Sequence, residues 1–490
     1  MWSNTLAVFL AIAHFDVVQA ISLHKRDSAT VVALDISRNH VPDPVSRDLK
    51  RRSTTVLESL TNEETLYFCN VTLGTPAQSV RLTLDTGSSD LWCNTPSSSL
   101  CSGKGNSCGV SGTYDANSSS TYEYVSSDFN ISYVDGSGAA GDYVTDTVSI
   151  GGATLKSFQF GIGYSSASSE GVLGIGYPAN EAQVSRSRKS SYANLPKAMV
   201  DGGLINSNAY SLWLNDLDAN TGSILFGGVD SDKYIGDLET LPIQKVGGEY
   251  AEFLITLTGV GFQNGSTDKT YSSSALPAAV LLDSGSSLTY LPDSIVEDIY
   301  NDIGVTYDTA SEAGYVPCSY MNDDKNFTFT FSTPSISVSM GEMVLETGTG
   351  ATYSDGSSAC VFGIAPAGSS TVVLGDTFLR SAYVVYDIAN NEISLAQTNF
   401  NSTSQDIKEI GTGSSSVPGA TAVSNPVTSV VGAGADTTAT VTSATGAGAV
   451  TSATGSSGAA IVGSGSIGGL MHLPAVMTVA SVVLALWMWI

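Results

Sequence analysis

Two stretches of this chain, far apart in sequence, carry nearly the same pattern. Residues 80–93 read VRLTLDTGSSDLWC and residues 279–292 read AVLLDSGSSLTYLP. In each, a short apolar run ends on an aspartate, Asp85 or Asp283, and a Gly-Ser turn follows. Apolar runs of this length bounded by Gly and Ser read as buried strands entering tight turns. A carboxylate at the end of a buried strand is costly unless it is hydrogen-bonded, and this chain places one there twice. A single copy reads as well as a surface turn, because Asp, Gly and Ser are turn formers. Two copies, each behind a strand and each ahead of an apolar stretch, read as one site built by symmetry. Like charges brought that close cannot both ionise, so the pair shares a proton and presents an acid beside a base. Such a pair can activate a water against a peptide carbonyl and then protonate the leaving amine.

Composition narrows the alternatives. The 490 residues carry 20 Lys and Arg against 46 Asp and Glu, a net charge of -26. This argues against nucleic acid as a partner, because phosphate binding needs clustered cations. The four histidines, His14, His24, His40 and His472, fall in segments expected to be removed. Ser-His-Asp and Cys-His chemistry and zinc sites with paired His ligands are therefore excluded. No metal and no cofactor is expected, and carboxylates remain as the acid–base groups. The body is rich in Ser, Thr, Gly, Val and Tyr in short alternating runs, which argues for all-β architecture. Residues 66–73 and 79–84 flank Gly74-Thr75-Pro76 as a first hairpin. Residues 294–303 are a rare helical pattern, with Ile295, Val296, Ile299 and Ile303 on one face.

Further motifs recur in order. VLGIG at residues 172–176 and VVLGD at 372–376 are matching hydrophobic-hydrophobic-Gly units, and residues 130–138, NISYVDGSG, form a hairpin pattern. LFGGVD at residues 225–230 and the strand at 383–387 complete the set. Over most of residues 65–397 the chain resembles the pepsin-like aspartic proteases, in which two aspartates share one proton. The resemblance implies a bilobed all-β fold with a few short helices. An N-terminal lobe, residues 53–240, would hold the first aspartate and a flap, and a C-terminal lobe, residues 241–400, the second. It implies catalysis by Asp85 and Asp283. Ser88 and Ser286 would donate hydrogen bonds to them, Thr86 and Ser284 would brace the two loops, and Gly87 and Gly285 would form the turns. Tyr133 would close over substrate from the flap, bonded to the indole of Trp92, with Asp135 and Ser137 beside it. Val134 departs from the Gly often found after the flap tyrosine. Fungal relatives with Asp at the place of Asp135 accept Lys or Arg beside the scissile bond; a turn aspartate in a hairpin tip is the other reading, and both stay open.

The ends of the chain carry address signals. Residues 5–13 are apolar but too short to span a membrane, and Val18-Gln19-Ala20 follows with small or short residues at its outer positions, so residues 1–20 read as a secretory signal. Residues 21–52 hold seven basic and four acidic residues and end in Lys50-Arg51-Arg52, the pattern of a propeptide. In the family such a basic segment neutralises the active-site carboxylates until acidification. Residues 29–36 are strand-like and suited to the sheet of the body. Arg186, Arg188 and Lys189 lie in a Ser-rich insertion, residues 181–197, that reads either as a nicking site or as an inert loop. Residues 401–457, rich in Ser, Thr and Gly, read as a disordered stalk. Residues 458–490 end in an apolar tail without basic flank, behind a small-residue cluster. That is the pattern of a glycolipid (GPI) attachment signal acting at Ser457 or Gly458.

Six cysteines behind a secretory signal read as disulfides. Cys318 and Cys360 stand alone in the second half and pair with each other. The other four allow three connectivities; the resemblance implies Cys101 with Cys108, which leaves Cys69 with Cys93. Asn70, Asn117, Asn130, Asn264, Asn326 and Asn401 stand in N-glycosylation sequons. Together the signs are similar to the fungal yapsin-type group: a monomeric surface endopeptidase with an acidic optimum. Its partners would be peptide and protein substrates cut beside Lys or Arg, and a membrane reached through the GPI anchor, with wall glycan as a second address. The alternative is a pepsin-fold surface or wall protein that binds without catalysis.

Overall fold

The computed structural model describes residues 30–40, 65–133, 137–219, 221–265, 267–309, 311–346 and 351–431. The signal segment, Lys50-Arg51-Arg52, Asp135, Ser457, Gly458 and the apolar tail lie outside the described residues.

The chain folds almost entirely into short strands. The first hairpin, Thr65–Leu73 with Gln78–Asp85, pairs in register from Phe68↔Thr83 to Leu73↔Gln78. It belongs to a 14-stranded sheet. One end of that sheet carries strands Gly171–Gly174, Leu91–Asn94, Ala153–Ser166, Gly138–Ile150 and Glu123–Ser132. The other end runs through Thr221–Phe226 and Ala209–Trp213 to Ala382–Asp387, Glu392–Thr398 and Tyr234–Pro242. Strands from the last part of the chain therefore close the sheet of the first. Pairing of Val384↔Leu212 and Tyr386↔Tyr210 makes that junction. A separate five-stranded sheet carries the second repeat, in the order Leu254–Leu257, Ala278–Leu282, Val372–Leu374, Thr289–Leu291, Ile364–Pro366.

The helix expected from periodicity spans Asp293–Ile303, and Ile295, Val296, Ile299 and Ile303 are its buried residues. It stops at Gly304, whose φ of 77° is a left-handed cap that side chains with a Cβ disfavour.

The strand-like leader segment lies in the sheet. Val32–His40 pairs with Thr221–Phe226 on one side and Thr65–Leu73 on the other. Val32, Leu34 and Ile36 point into the core while Ala33, Asp35 and Ser37 face outward, the alternation a half-buried strand requires.

Two expectations are corrected. Cys101–Cys108 and Cys318–Cys360 are disulfides, but Cys69 and Cys93 are free and buried. Two strands of the sheet, Gln78–Asp85 and Gly171–Gly174, separate theirs. Three strand spacings amount to about 14 Å, twice the roughly 7 Å Cα separation a disulfide can bridge. The Cys69 thiol instead donates to the Leu82 carbonyl, and burial pushes it up to about 12. The second correction concerns the stalk. Residues 401–431 are not a loose tether: Ile407–Glu409 pairs with Gly228–Asp230, and Ala420–Ala422 runs parallel to the Leu238–Thr240 register. Ile410, Val417 and Val423 are buried. Three spaced apolar residues and two short strand pairings dock a segment whose average composition looks unable to bury anything.

Candidate active site

Each aspartate ends a buried strand that passes beside a crossing strand. Gln78–Asp85 runs parallel to Gly171–Gly174 with Asp85 opposite Gly174, and Ala278–Leu282 runs parallel to Val372–Leu374 with Leu282 opposite Leu374. The backbone N–H of Ile175 donates to Asp85 O at 3.0 Å; the Asp283 N–H donates to Leu374 O at 3.2 Å. Behind each turn the same bond recurs, Gly176 N–H to Ser88 O and Asp376 N–H to Ser286 O, both at 2.8 Å. Glycine is required at the crossings: a Cβ on Gly375 would stand 2.3 Å from Leu288 O, and one on Gly174 2.6 Å from Asp90 N.

The two turns are held alike. Asp85 accepts from the Gly87 N–H at 2.8 Å and the Ser88 hydroxyl at 2.6 Å. Asp283 accepts from the Gly285 N–H at 2.8 Å and the Ser286 hydroxyl at 2.7 Å. These donors compensate the burial of two carboxylates that are only 3% and 9% exposed. Between the turns, the Thr86 N–H donates to Ser284 Oγ at 3.2 Å and the Ser284 N–H to Thr86 Oγ1 at 3.0 Å. The Thr86 hydroxyl donates on to Leu282 O and the Ser284 hydroxyl to Leu84 O. A Cβ on Gly87 would lie 2.6 Å from Asp283 Oδ1, and one on Gly285 2.5 Å from Asp85 Oδ1. Each carboxylate thus sits against the opposite turn.

The two aspartates form the floor of a cleft of about 270 Å³. From the first half of the chain the lining takes Ile131, Ser132 and Tyr133 at the end of strand Glu123–Ser132, with Asn180 and Arg186; from the second it takes Glu252, Leu281, Tyr290, Thr371 and Val373. The Trp92 indole N–H donates to the Tyr133 hydroxyl at 2.7 Å, and the Tyr133 N–H donates to Ser137 O at 2.9 Å, closing the hairpin. Asp135 is outside the described residues. Trp92 is 1% exposed and packs on Phe129, so Tyr133 is moored to the core.

A family profile described as eukaryotic aspartyl protease matches residues 66–398. The chain belongs to the eukaryotic aspartyl proteases. It is an aspartic endopeptidase of the pepsin-like kind. Among relatives of this aspartyl protease is the probable aspartic-type endopeptidase opsB of Aspergillus fumigatus, 66% identical over 84% of this chain and 86% of its own. The protein of that name from Aspergillus oryzae is 64% identical over 89% and 90%. Aspartic proteinase 3 of Saccharomyces cerevisiae is 33% identical over 77% of each. The solved aspartic proteinase from Irpex lacteus shares the fold, with a TM-score of 0.57 at 21% identity, over 76% of this chain and 100% of that one.

Several residues of this aspartyl protease site carry no signal in the sequence. Asn180 reaches back to donate to Gly87 O at 3.2 Å. Arg186, exposed in the supposed insertion, lines the cleft, while its neighbours Glu181, Ala182 and Gln183 are buried. Beneath them Asp90 accepts from Tyr143, Tyr192 and the Ala182 N–H. Burial raises the Asp90 pKa despite those donors. Burial likewise lifts Glu181 to about 9, opposed by the Tyr192 N–H that it accepts. The described part of the leader, residues 30–40, contributes nothing to the cleft lining.

Proposed function

We propose that Asp85 and Asp283 hold one water between them and share one proton, and that this water attacks the scissile carbonyl. One carboxylate takes the water's proton while the other gives its own to the carbonyl oxygen. The collapse that follows delivers a proton to the leaving amine. No covalent intermediate forms. The observation that carries this reading is the reciprocal bracing of Thr86 and Ser284, which fixes each aspartate against the other's turn. The proton belongs to the pair, so activity depends on a singly protonated state and falls as pH rises. An acidic optimum follows.

Tyr133 closes over bound peptide, and Lys or Arg beside the scissile bond is preferred. The leader is released after Arg52, sequons such as Asn117 and Asn401 carry glycans, and Ser457 or Gly458 takes a GPI anchor at the cell surface. These parts of the reading are supported by sequence patterns, and by exposure of Asn70, Asn117, Asn130, Asn264 and Asn401.

The test compares wild type with Asp85→Asn on a dibasic peptide between about pH 4 and 7. Wild type should cleave best at the acid end, with the variant at background and its melting temperature little changed. Equal cleavage by the two proteins rules the mechanism out. Release of cell-bound enzyme by a phosphatidylinositol-specific phospholipase checks the anchor.

A further inference from the structure

We propose that Glu252 is the cation-binding group of the cleft, fixing a Lys or Arg side chain of the substrate against the second-lobe wall beside the scissile bond. This deepens, and rests on, the proposed basic preference, which the sequence attaches to Asp135 and to the acidity of the body.

Glu252 stands two residues ahead of strand Leu254–Leu257, which pairs Leu254↔Leu281 with the strand leading to Asp283. The Leu282 N–H donates to Phe253 O at 3.2 Å, so residue 252 emerges alongside the second aspartate. Glu252 lines the cleft together with Leu281 and Val373, which lie opposite each other on adjoining strands. An apolar strip ending in a carboxylate suits a side chain with a methylene stem and a charged head.

Glu252 is also uncompensated. Burial and the charge of Asp283 both raise its pKa, and no hydrogen-bond donor among the described residues offsets them. Asp85, by contrast, has two donors within its own turn. A half-buried carboxylate beside another carboxylate is stabilised most by a cation arriving from outside the fold. Arg186 is the one cation among the described lining residues, and it forms no ion pair with Glu252.

The position is rigid. Tyr250 stacks on Tyr177 at 6.4 Å between centroids, and Phe253 packs on Tyr177 at 5.2 Å and on Tyr386 at 4.7 Å. Aromatic anchors on both sides of Glu252 hold it on the scaffold, as a selective site requires.

The experiment uses the processed enzyme and a peptide set that differs only by Lys, norleucine or Glu at each position flanking the cut. Norleucine keeps most of the stem and removes the charge. Wild type should prefer Lys over norleucine at one position by roughly tenfold or more in kcat/KM. In Glu252→Gln that Lys-to-norleucine ratio, taken within the one variant, should fall to near one. Glu252→Lys should turn the preference toward Glu at the same position. A Lys preference that survives in Glu252→Gln overturns the assignment and returns specificity to Asp135. A wild type that cuts Lys and norleucine peptides alike overturns the basic preference together with it. A wild type that cuts none, like Asp85→Asn, overturns the dyad mechanism as well.

Discussion

At the scale of single residues, the site works by placing small groups where anything larger would collide with a carboxylate. Gly87 and Gly285 each donate an N–H to their own aspartate while lying against the opposite one. Gly285→Ala puts a Cβ 2.5 Å from Asp85 Oδ1, so the turn or the carboxylate must shift by close to 1 Å. A displacement of that size costs about a hundredfold in rate. We expect kcat to fall by that factor with KM nearly unchanged, measured on the dibasic peptide; an alanine variant with wild-type kcat contradicts that bracing. Ser88 and Ser286 were legible because they lie three positions along a local turn from the groups they touch. Glu252 and Asn180 were not: they arrive from distant chain, and nothing in their neighbours' composition marks them.

At the scale of elements, alternation and turn residues foretell the strands well, and composition foretells the end of the protein body poorly. The first hairpin and the helix Asp293–Ile303 lie where periodicity puts them. The segment past residue 400 shows the opposite case, since its docking depends on Ile410, Val417 and Val423 in an otherwise polar run. Each such burial contributes about 1.5–3 kcal/mol, and two sets of strand pairs add to it. A chain ending at residue 400 should therefore melt at least about 5 °C below one ending at residue 431. Equal melting temperatures for the two truncations count against a structural role for this segment. The cysteines teach the same lesson. Cys69 and Cys93 look available for pairing in a linear reading, yet the crossing strand Gly171–Gly174 is inserted between their strands from eighty residues further on.

At the scale of the whole molecule, buried acids give the protein a built-in pH dependence. Glu181 is fully buried beside Asp90, and both are raised, Glu181 from 4.5 to about 9. The folded state binds this proton more tightly than the unfolded chain. The resulting stability is complete below the ordinary carboxylate range and is lost as pH rises through about 9. Every tenfold by which folding tightens the hold on a proton contributes about 1.4 kcal/mol. Wild type should lose melting temperature steadily from pH 5 to pH 9 (roughly the interval between the unfolded and folded values), and Glu181→Gln, which cannot ionise, should lose less. Parallel curves for the two proteins would remove Glu181 as the cause. The repeated Asp-Thr/Ser-Gly-Ser turn, the strand periodicity and the scarcity of histidine were enough to declare an all-β chain with a carboxylate site, because these are local patterns of side-chain chemistry. Tertiary structure decided which cysteines meet and where the leader strand and the segment after residue 400 lie. It also decided which distant side chains face the aspartates. Those outcomes depend on the order in which strands join a sheet, and strand order is set by long-range burial that no short stretch of sequence encodes.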